Sequence, residues 1–405
     1  EFLADKEDNP LVAQTGSRVV KILGNRELQN SAISGRSTRH MDIELDSDMT
    51  YRTGDHLCIV PKNDLELVKR VERRFNLNGK ARVQLKSESA DNMQLPIDTP
   101  LSVRYMLTEL LELQSPASRK DVEALTRHTE CPKSRPNLEK LAGDDYREHV
   151  FLKKISVLEL LEQFPACELP FGVFIELMPM MAQRYYSISS SHLEHKDRCS
   201  ITVGVVNEPA ISGNGQFKGV CSNYLSSCPE NSSVYASIRA TKAGFRLPEN
   251  SETPVIMIGP GTGIAPFRGF LQERAKLKES GKNLGNATLY FGCRHPDQDF
   301  LYREELEAFA STGIADLHVA FSREEKKKVY VQDLIRENRE QVWQMIEDGA
   351  HIYVCGDGSR MEPDVRRALT TIYSEEKDVG VEAANAWLEQ LISEDRYVLD
   401  VWVSN

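Results

Sequence analysis

The stretch Pro254-Val-Ile-Met-Ile-Gly-Pro-Gly-Thr-Gly-Ile-Ala-Pro-Phe267 passes from an apolar run, through alternating glycines, into a segment with helical character. Its β-branched run, residues 255–258, predicts a short strand buried on both faces of a parallel sheet. Pro266 fits the first turn of a helix that we expect to continue to about Lys278. Glycines let backbone N–H groups approach a ligand, and a helix N-terminus adds unpaired donors, so the stretch predicts a pyrophosphate site. Glycine triplets also form ordinary tight turns, an alternative that the stretch alone leaves open.

Strand patterns recur downstream of this stretch, with helical patterns between them. They cover residues 287–291, 317–321, 351–355 and 396–402. Such an alternation predicts a parallel sheet with helices on both faces, in which ligands bind at the carboxyl ends of the strands. The residues that fall at these ends are Gly259, Cys293, Ser322, Cys355 and Gly356.

Composition narrows the class of protein. A chain of 405 residues is long enough for two or three domains, and its net charge of −11 argues against nucleic acid as the main partner. The sequence contains no apolar run of membrane-spanning length and no leader pattern, so we expect a cytoplasmic location. The eight cysteines form no paired C-x-x-C motif, which indicates reduced thiols, and we predict no metal site. Because the chain begins with Glu1, we expect it to be a fragment of a longer protein.

The first part of the chain has a different pattern. Residues 1–15 are polar and contain Pro10, so we interpret them as a linker. The strand patterns that follow lack intervening helices, which indicates an antiparallel sheet or barrel. They cover residues 18–24, 40–45 and 54–61 and resume after residue 170 at 184–189, 201–206 and 234–239.

About a hundred residues between these two groups of strands are predicted to be mainly helical. Asp64 is an N-cap candidate, and Thr99-Pro100 opens a second helix. Ser118 begins a more polar helix, and Ser156 forms a capping box with Glu159. We interpret this segment as an inserted layer that serves spacing or docking rather than chemistry.

Three motifs stand in a consistent order: Arg184-x-Tyr186-Ser187, Gly219-Val220-Cys221-Ser222 and Gly259-Pro-Gly-Thr-Gly263. Together they resemble the flavin and pyridine-nucleotide module of the ferredoxin-NADP reductase superfamily, over nearly the whole chain from Arg18 to Trp402. The helical insertion is similar to that of the diflavin reductases, which include cytochrome P450 reductase, sulfite reductase flavoprotein and the reductase part of nitric oxide synthase. Residues 185–191 and 289–294 most resemble the reductase halves of fused fatty-acid-hydroxylating cytochromes P450.

The resemblance implies a fold with two domains. An antiparallel FAD-binding barrel with a helical insertion is followed by a doubly wound, parallel-sheet NADPH-binding domain. We therefore expect the barrel in residues 16–62 and 166–248, the insertion in 63–165 and the NADPH-binding domain in 249–405.

For FAD, the resemblance agrees with the chemistry of the motif residues. Arg184 offers a fork of donors to a pyrophosphate, Tyr186 a flat face to the isoalloxazine, and Ser187 a hydroxyl near flavin N5. A strand-edge salt bridge for Arg184 and simple core packing for Tyr186 are the structural alternatives. The residues implied for FAD are Arg184, Tyr185, Tyr186, Ser187, Thr202, Val203, Val205, Gly219, Val220, Cys221, Ser222 and Trp402.

For the dinucleotide, the segment from Ser322-Arg323 to Lys328-Val-Tyr330-Val-Gln332 matches the 2′-phosphate site of the family in type and spacing. Two cations, a hydroxyl and a ring suit a phosphate beside adenine, and Ser322 stands where an acidic residue would favour NAD, so the resemblance favours NADPH. The alternative is a solvated basic loop around Lys326–Lys328. The residues implied for NADPH are Arg39, Gly261, Thr262, Cys293, Arg294, Ser322, Arg323, Lys328, Tyr330, Gln332, Cys355, Asp357 and Met361.

By resemblance, Ser187, Cys355 and Asp400 surround the reacting atoms, and Trp402 stacks on the flavin face that nicotinamide must occupy. A carboxylate there stabilises positive charge that develops as hydride leaves, and a small thiol permits close approach. Trp402 would then act as a gate. Closure of a sheet edge by Asp400 and Trp402 is the alternative, and the residues Val403-Ser-Asn405 after the tryptophan exceed the family's usual number.

The resemblance implies a flavoprotein that transfers hydride from NADPH to FAD and passes electrons to an FMN domain serving a haem-thiolate monooxygenase. We expect that flavodoxin-like domain upstream, on the same full-length chain. A single-flavin NADPH reductase for a separate ferredoxin or flavodoxin is one alternative, although it would not explain the helical insertion. A non-catalytic nucleotide sensor is another, against which the set Ser187, Cys355, Asp400 and Trp402 argues.

Overall fold

The computed structural model describes residues 9–86, 95, 100–241, 244–324 and 328–402. Several sequence predictions therefore lie outside the described residues. They concern residues 1–8 of the expected linker, Thr99, Lys326 and Lys327, and the three residues after Trp402.

The N-terminal half is built on antiparallel strands. In chain order they are β1 (Arg18–Glu27), β2 (Ser37–Glu44), β3 (His56–Val60), β4 (Arg82–Val83), β5 (Leu101–Ser102), β6 (Arg184–Ser187), β7 (Arg198–Val205), β8 (Asn207–Pro209), β9 (Gln216–Lys218) and β10 (Ser233–Arg239). Six of them form one sheet in the order β6-β3-β10-β1-β2-β7. A bridge between Ile188 and Ile201 joins the two edges of this sheet, which closes it into the predicted barrel. Alternate side chains of its strands, including Ile22, Met41 and Leu57, fill the barrel interior.

Helices dominate the insertion and the connections around the barrel. They are α1 (Pro10–Thr15), α2 (Ser31–Ser34), α3 (Leu65–Arg74), α4 (Val103–Tyr105), α5 (Arg119–Arg127), α6 (Arg135–Ala142), α7 (Val157–Gln163), α8 (Phe171–Leu177) and α9 (Val220–Ser227), with π-helical turns at Met106–Leu110 and Arg147–Phe151. The predicted caps of α3, α5 and α7 are present, since Asp64, Ser118 and Ser156 each accept a hydrogen bond from the first turn. The insertion has its own apolar core, so it is a packed layer and not a loose connection.

Three local features differ from the sequence predictions. Pro10–Thr15, placed in the linker, is a helical turn capped by Asn9 with Val12 buried. Between Pro170 and the strand that begins at Arg184, where no helix was predicted, α8 packs Phe174 into the core of the insertion. Ser102, rather than Thr99-Pro100, caps the second predicted helix, because its side chain accepts from Tyr105 N.

The C-terminal half is a parallel α/β layer. Its strands are β11 (Val255–Ile258), β12 (Ala287–Cys293), β13 (Asp316–Phe321), β14 (His351–Asp357) and β15 (Tyr397–Trp402), in the order β13-β12-β11-β14-β15. Its helices are α10 (Ala265–Glu279), α11 (Arg303–Ser311), α12 (Val331–Glu337), α13 (Arg339–Glu347), α14 (Met361–Lys377) and α15 (Val381–Ser393). All neighbouring strands pair in parallel, and β11 is completely buried at the centre, as its apolar run predicts. The chain order 3-2-1-4-5 reverses beside β11, where such sheets bind their ligands.

Candidate functional site

A large cavity lies where the barrel meets the carboxyl edge of the parallel sheet. It has a volume of about 1310 Å³. Its wall includes Arg184 and Ser187 at β6, the start of α9, and Gly261 and Thr262 of the glycine turn. Trp402 closes one side. The sequence motifs that are far apart along the chain thus meet around one space.

Four side chains form a polar cluster at this seam. In the barrel, His56 lies directly opposite Ser187 in the β3–β6 pair, and in the parallel sheet Cys355 lies opposite Asp400 in the β14–β15 pair. Ser187 Oγ donates to Asp400 Oδ2 at 2.5 Å, and His56 Nε2 lies 3.0 Å from Asp400 Oδ1. The Cys355 thiol reaches Asp400 Oδ2 at 3.8 Å. Two cross-strand pairs from two domains therefore converge on one carboxylate.

Electrostatics keep this carboxylate charged. Burial alone would raise the pKa of Asp400, but hydrogen bonds from His56, Ser187 and Cys355 outweigh it, so the pKa lies below its usual value. Burial, followed by the neighbouring charge of Asp400, raises the pKa of the Cys355 thiol well above its ordinary value. The cluster therefore presents a fixed negative charge beside a neutral thiol.

The glycine turn packs tightly on β14. A Cβ on Gly263 would overlap the carbonyl oxygen of Cys355, so only glycine permits this approach. Gly261 has φ of +58° and open space where a Cβ would point, which leaves its backbone accessible from the cavity. Thr262 reaches the barrel, since its Cγ2 lies 3.2 Å from the point where a Cβ added to Gly204 would stand.

The aromatic residues of the motifs occupy different environments. Trp402 is 43% exposed at the end of β15, opposite Asp357, so its indole is free of core packing. Burial, followed by the neighbouring Cys221 thiol, raises the pKa of Tyr186 well above the ordinary value. Tyr185 is exposed and carries the Arg239 guanidinium 4.8 Å from its ring centre.

Arg184 joins the barrel to the helical insertion. Its Nη2 donates to Glu112 Oε2 at 2.5 Å, and its Nη1 donates to Ala182 O at 2.7 Å. The ion pair is the structural alternative named for this residue, yet Arg184 also lines the cavity and keeps further donors. Near it, Ser222 in the first turn of α9 accepts from Val206 N at 3.1 Å, which fixes that helix start.

A second positive region lies at the ends of β12 and β13. Arg323 N donates to Arg294 O at 2.9 Å, and Ser322 N donates to Cys293 O at 3.0 Å, so these loops adjoin. Burial, and then the positive charges of Arg36 and Arg323, lower the pKa of Arg294. An anion bound between these three guanidiniums would relieve their mutual repulsion.

Other residues predicted for the dinucleotide lie along the same edge. Lys328 and Tyr330 are exposed beside the start of α12, where Tyr330 N donates to Asp333 Oδ2 at 2.8 Å. Gln332 Nε2 is 3.5 Å from Asp364 Oδ2. Asp357 lines the cavity, where its carboxylate accepts from the backbone and hydroxyl of Ser359. Met361 begins α14 close to Gly356.

Several predicted residues are buried or held by other side chains. Val203 is fully buried in the barrel core, because it belongs to the inward-facing set of β7. Arg39 is held along β1, where Nε donates to Asn25 Oδ1 at 2.8 Å and Nη2 to Asn25 O at 2.6 Å. Thr202 and Cys293 are buried, and the Thr202 hydroxyl is already paired with Tyr302 at 2.7 Å. Thr202, Val205, Gly219 and Val220 line the cavity.

Three residues at the site were missed from the sequence. His56 is the first residue of β3, in the stretch Gly54-Asp-His-Leu-Cys, and its place opposite Ser187 follows only from the strand pairing. Glu112 lies 72 residues from Arg184. Arg36 lines the cavity three residues before the predicted Arg39, and its position after Gly35 in a polar loop was the available signal.

Among the described residues, no group of three or more His, Cys, Asp or Glu side chains could hold a metal ion. All eight cysteines are free thiols. Across the same ranges, the helices fall short of the length and apolar character that a membrane crossing requires.

A closed antiparallel barrel, a parallel sheet and a shared cavity between them define a two-domain oxidoreductase of the ferredoxin-NADP reductase type. Comparison with known families agrees: residues 12–224 match the FAD binding domain, and residues 257–367 match the oxidoreductase NAD-binding domain. Because the first match covers more than half of the chain, the chain belongs to the FAD binding domain family.

Curated relatives confirm the predicted resemblance. The chain is 46% identical over 404 residues to the bifunctional cytochrome P450/NADPH–P450 reductase 2 of Bacillus subtilis, covering 99% of this chain and 38% of that protein. It is 38% identical to the corresponding fusion of Fusarium oxysporum, covering 91% of this chain and 35% of that protein. It is 36% identical to the NADPH–cytochrome P450 reductase of Rattus norvegicus, covering 94% of this chain and 58% of that protein. The chain thus spans between about a third and three fifths of the length of these relatives.

The residues present fit both nucleotide cofactors. The cavity of about 1310 Å³ exceeds the roughly 300–1,000 Å³ of an ordinary ligand pocket, as two joined nucleotides require. Its barrel end offers Arg184 and the first turn of α9, and its other end offers the open backbone at Gly261. Arg36, Arg294 and Arg323 add a group of positive charges at the adjoining loops.

Proposed function

We propose that this chain binds FAD and NADPH and catalyses hydride transfer from NADPH to FAD. The observation that carries the proposal is the convergence of His56, Ser187, Cys355 and Asp400 at the seam, beside a cavity lined by both nucleotide-binding motifs. A sensor that only bound nucleotides would not require this cluster between its two sites.

Three members of the cluster have roles consistent with their environments. Bound FAD supplies a two-electron acceptor that can pass electrons on singly. The Asp400 carboxylate, held charged by its hydrogen bonds, would stabilise positive charge that develops on the nicotinamide. Ser187 is fixed by that carboxylate, and the neutral Cys355 side chain allows close approach of a ring. Exposed Trp402 would have to move aside.

The preference for NADPH over NADH is part of the same proposal. Arg323 and Lys328 are both exposed at the edge where Arg294 and Arg36 add positive charge. A 2′-phosphate carries up to two negative charges and binds such groups strongly. We expect residues 322–332 to bind the 2′-phosphate. The described part of this segment lies along the same edge.

The electron acceptor is proposed from the relatives, whose names join the reductase to cytochrome P450 or describe a cytochrome P450 reductase. We propose that electrons leave through an FMN domain toward a haem-thiolate monooxygenase, and that the FMN domain belongs to the same full-length protein. The packed helical insertion supports this reading over a single-flavin reductase, which would have no need of it. A reducing, cytoplasmic location is consistent with the eight free thiols.

An anaerobic titration with NADPH, followed by flavin absorbance, tests the central claim. We expect a yellow protein that is bleached by NADPH, reduces ferricyanide, and reduces cytochrome c poorly until an FMN domain is added. Hydride transfer is refuted if the protein takes up no FAD, or if its bound flavin stays oxidised after NADPH is added. Equal rates with cytochrome c in the absence of an FMN domain would refute the proposed acceptor alone.

A further inference from the structure

The seam between the two domains contains a buried tyrosine that the sequence motifs did not single out. Tyr302 immediately precedes α11 and is 7% exposed. Its hydroxyl lies 2.9 Å from His40 Nδ1 and 2.7 Å from Thr202 Oγ1. Both partners belong to the barrel, on the neighbouring strands β2 and β7, whereas Tyr302 belongs to the nucleotide domain.

The hydrogen bonds of this group run in one direction. His40 Nε2 lies 3.2 Å from Asp42 Oδ1, and a carboxylate can only accept, so Nε2 carries the proton. Burial lowers the pKa of His40, which is consistent with a neutral ring whose Nδ1 accepts. Tyr302 therefore donates to His40 and accepts from Thr202, so each hydroxyl and each ring nitrogen has a partner.

Arg268 strengthens the same junction. It lies on α10, the helix that begins at the glycine turn, and its Cζ is 4.9 Å from the Tyr302 ring centre. Nη1 donates to Ser189 O at 2.7 Å in the barrel, while Nε donates to Glu305 Oε2 at 2.7 Å on α11. One guanidinium thus links α10 and α11 of the nucleotide domain to the barrel.

The backbone at Tyr302 is unusual. Its φ of +56° lies in the left-handed region, which non-glycine residues adopt at a cost unless the surroundings hold them there. The adjacent Leu301 and nearby Asp299 line the cavity, and Asp299 Oδ1 accepts from Arg294 N at 3.0 Å. The loop that ends at Tyr302 therefore lies between the seam and the cavity.

We propose that Tyr302 is a positioning residue that holds the nucleotide domain in register on the barrel, so that the two nucleotide rings can meet. The inference rests on the proposed hydride transfer for its functional consequence. Thr202, which the sequence assigned to FAD, acts in this scheme as part of the seam, because its hydroxyl serves Tyr302.

The test compares Tyr302→Phe and Thr202→Val with Tyr146→Phe as a matched control. Tyr146 also loses one part-buried hydrogen bond, to Ala117 O at 3.1 Å, but within the helical insertion. We measure amide hydrogen exchange of the ligand-free proteins, affinity for NADP⁺, FAD content and the single-turnover rate of flavin reduction.

For both seam variants we expect faster exchange in residues 198–205 and 299–306 than in the control, because the seam opens locally. The single-turnover rate should fall about 10- to 100-fold, since misplacement by about 1 Å can cost this much. FAD content and NADP⁺ affinity should stay within about twofold of the unmodified protein, which separates positioning from binding. The double variant should be little worse than either single variant, as for partners in one interaction.

The proposal is overturned if amide exchange and flavin reduction in the seam variants match those of Tyr146→Phe. It is also overturned if the slower flavin reduction is explained by loss of bound FAD or weaker NADP⁺ binding. If Tyr302→Phe does not fold, Thr202→Val decides, because it keeps the tyrosine ring in place. If the unmodified protein fails to reduce flavin, the proposed function fails, while the exchange experiment still decides whether the seam is held by Tyr302.

Discussion

Replacement of Asp400 by asparagine removes the central charge of the seam cluster and keeps the side-chain volume. The carboxylate accepts from Ser187 at 2.5 Å and from His56 at 3.0 Å, and its side chain is 16% exposed. Hydrogen bonds to a charged group contribute about 1.5–3 kcal/mol, so loss of one charge-dependent interaction in the transition state costs about that amount. Since every 1.36 kcal/mol is a factor of ten, we expect flavin reduction to slow by about 10- to 150-fold.

The assay is anaerobic stopped-flow reduction of the bound FAD by NADPH. Asp348→Asn is a matched control, because Asp348 is an exposed carboxylate that accepts one hydrogen bond from Gln344. Deuterium at the transferred position of NADPH should slow Asp400→Asn at least as strongly as the unmodified protein, which shows that the slow step is hydride transfer. A variant that retains its FAD and is reduced at the control rate would refute the role of this carboxylate.

Further predictions concern pH, nucleotide choice and packing. Because the pKa of Asp400 is lowered in the folded protein, its stabilising contribution is fully present above the unfolded pKa of about 4 and is lost as pH falls through the folded pKa. The difference in melting temperature between the unmodified protein and Asp400→Asn should therefore shrink over that acidic range. Alanine at Arg323 or Lys328 should lower the ratio of kcat/KM for NADPH to that for NADH by about 10- to 150-fold each, at roughly 1.5–3 kcal/mol per charge-assisted contact, and an unchanged ratio would disprove the phosphate assignment. Gly263→Ala should destabilise the protein by about 1–3 kcal/mol in denaturant titrations, because its methyl group would overlap Cys355 O, and a wild-type midpoint would contradict the described packing.

The parallel sheet could be predicted well from the sequence because its signals are local. The buried strand β11 and the glycines after it have few other uses, and each later strand is bounded by a helical pattern. The capping boxes at Ser118 and Ser156 predicted helix starts for the same reason, since the interaction spans only three residues.

Short elements stabilised by tertiary contacts were not predictable in this way. Helix α8 has only seven residues between prolines and a strand, and burial of Phe174 supports it more than its own sequence does. The hairpin of β8 and β9 has all six residues exposed and reads as a glycine-rich loop. Local pattern therefore gave no signal for either element.

The site was predictable in type but not in its full membership. The motifs supplied Ser187, Cys355 and Asp400, which the structure brings together. His56 joins them only because β3 pairs with β6 in a particular register, and one sequence does not encode that register visibly. By charge, both Arg36 and Arg39 fit a phosphate contact. Their side-chain directions cannot be seen in the sequence, and the structure turns Arg36 to the cavity and Arg39 to Asn25.

The ion pair of Arg184 with Glu112 bears on any attempt to build chimaeras from this chain. A graft that replaces the helical layer by a shorter connection, or by a layer from another reductase, must carry an acidic partner to the same place. Without one, the guanidinium would be left part-buried and without its ion-pair partner at the wall of the cavity. Recombination breakpoints that keep residues 112 and 184 from a single parent should therefore yield more coloured, folded hybrids than breakpoints that divide them.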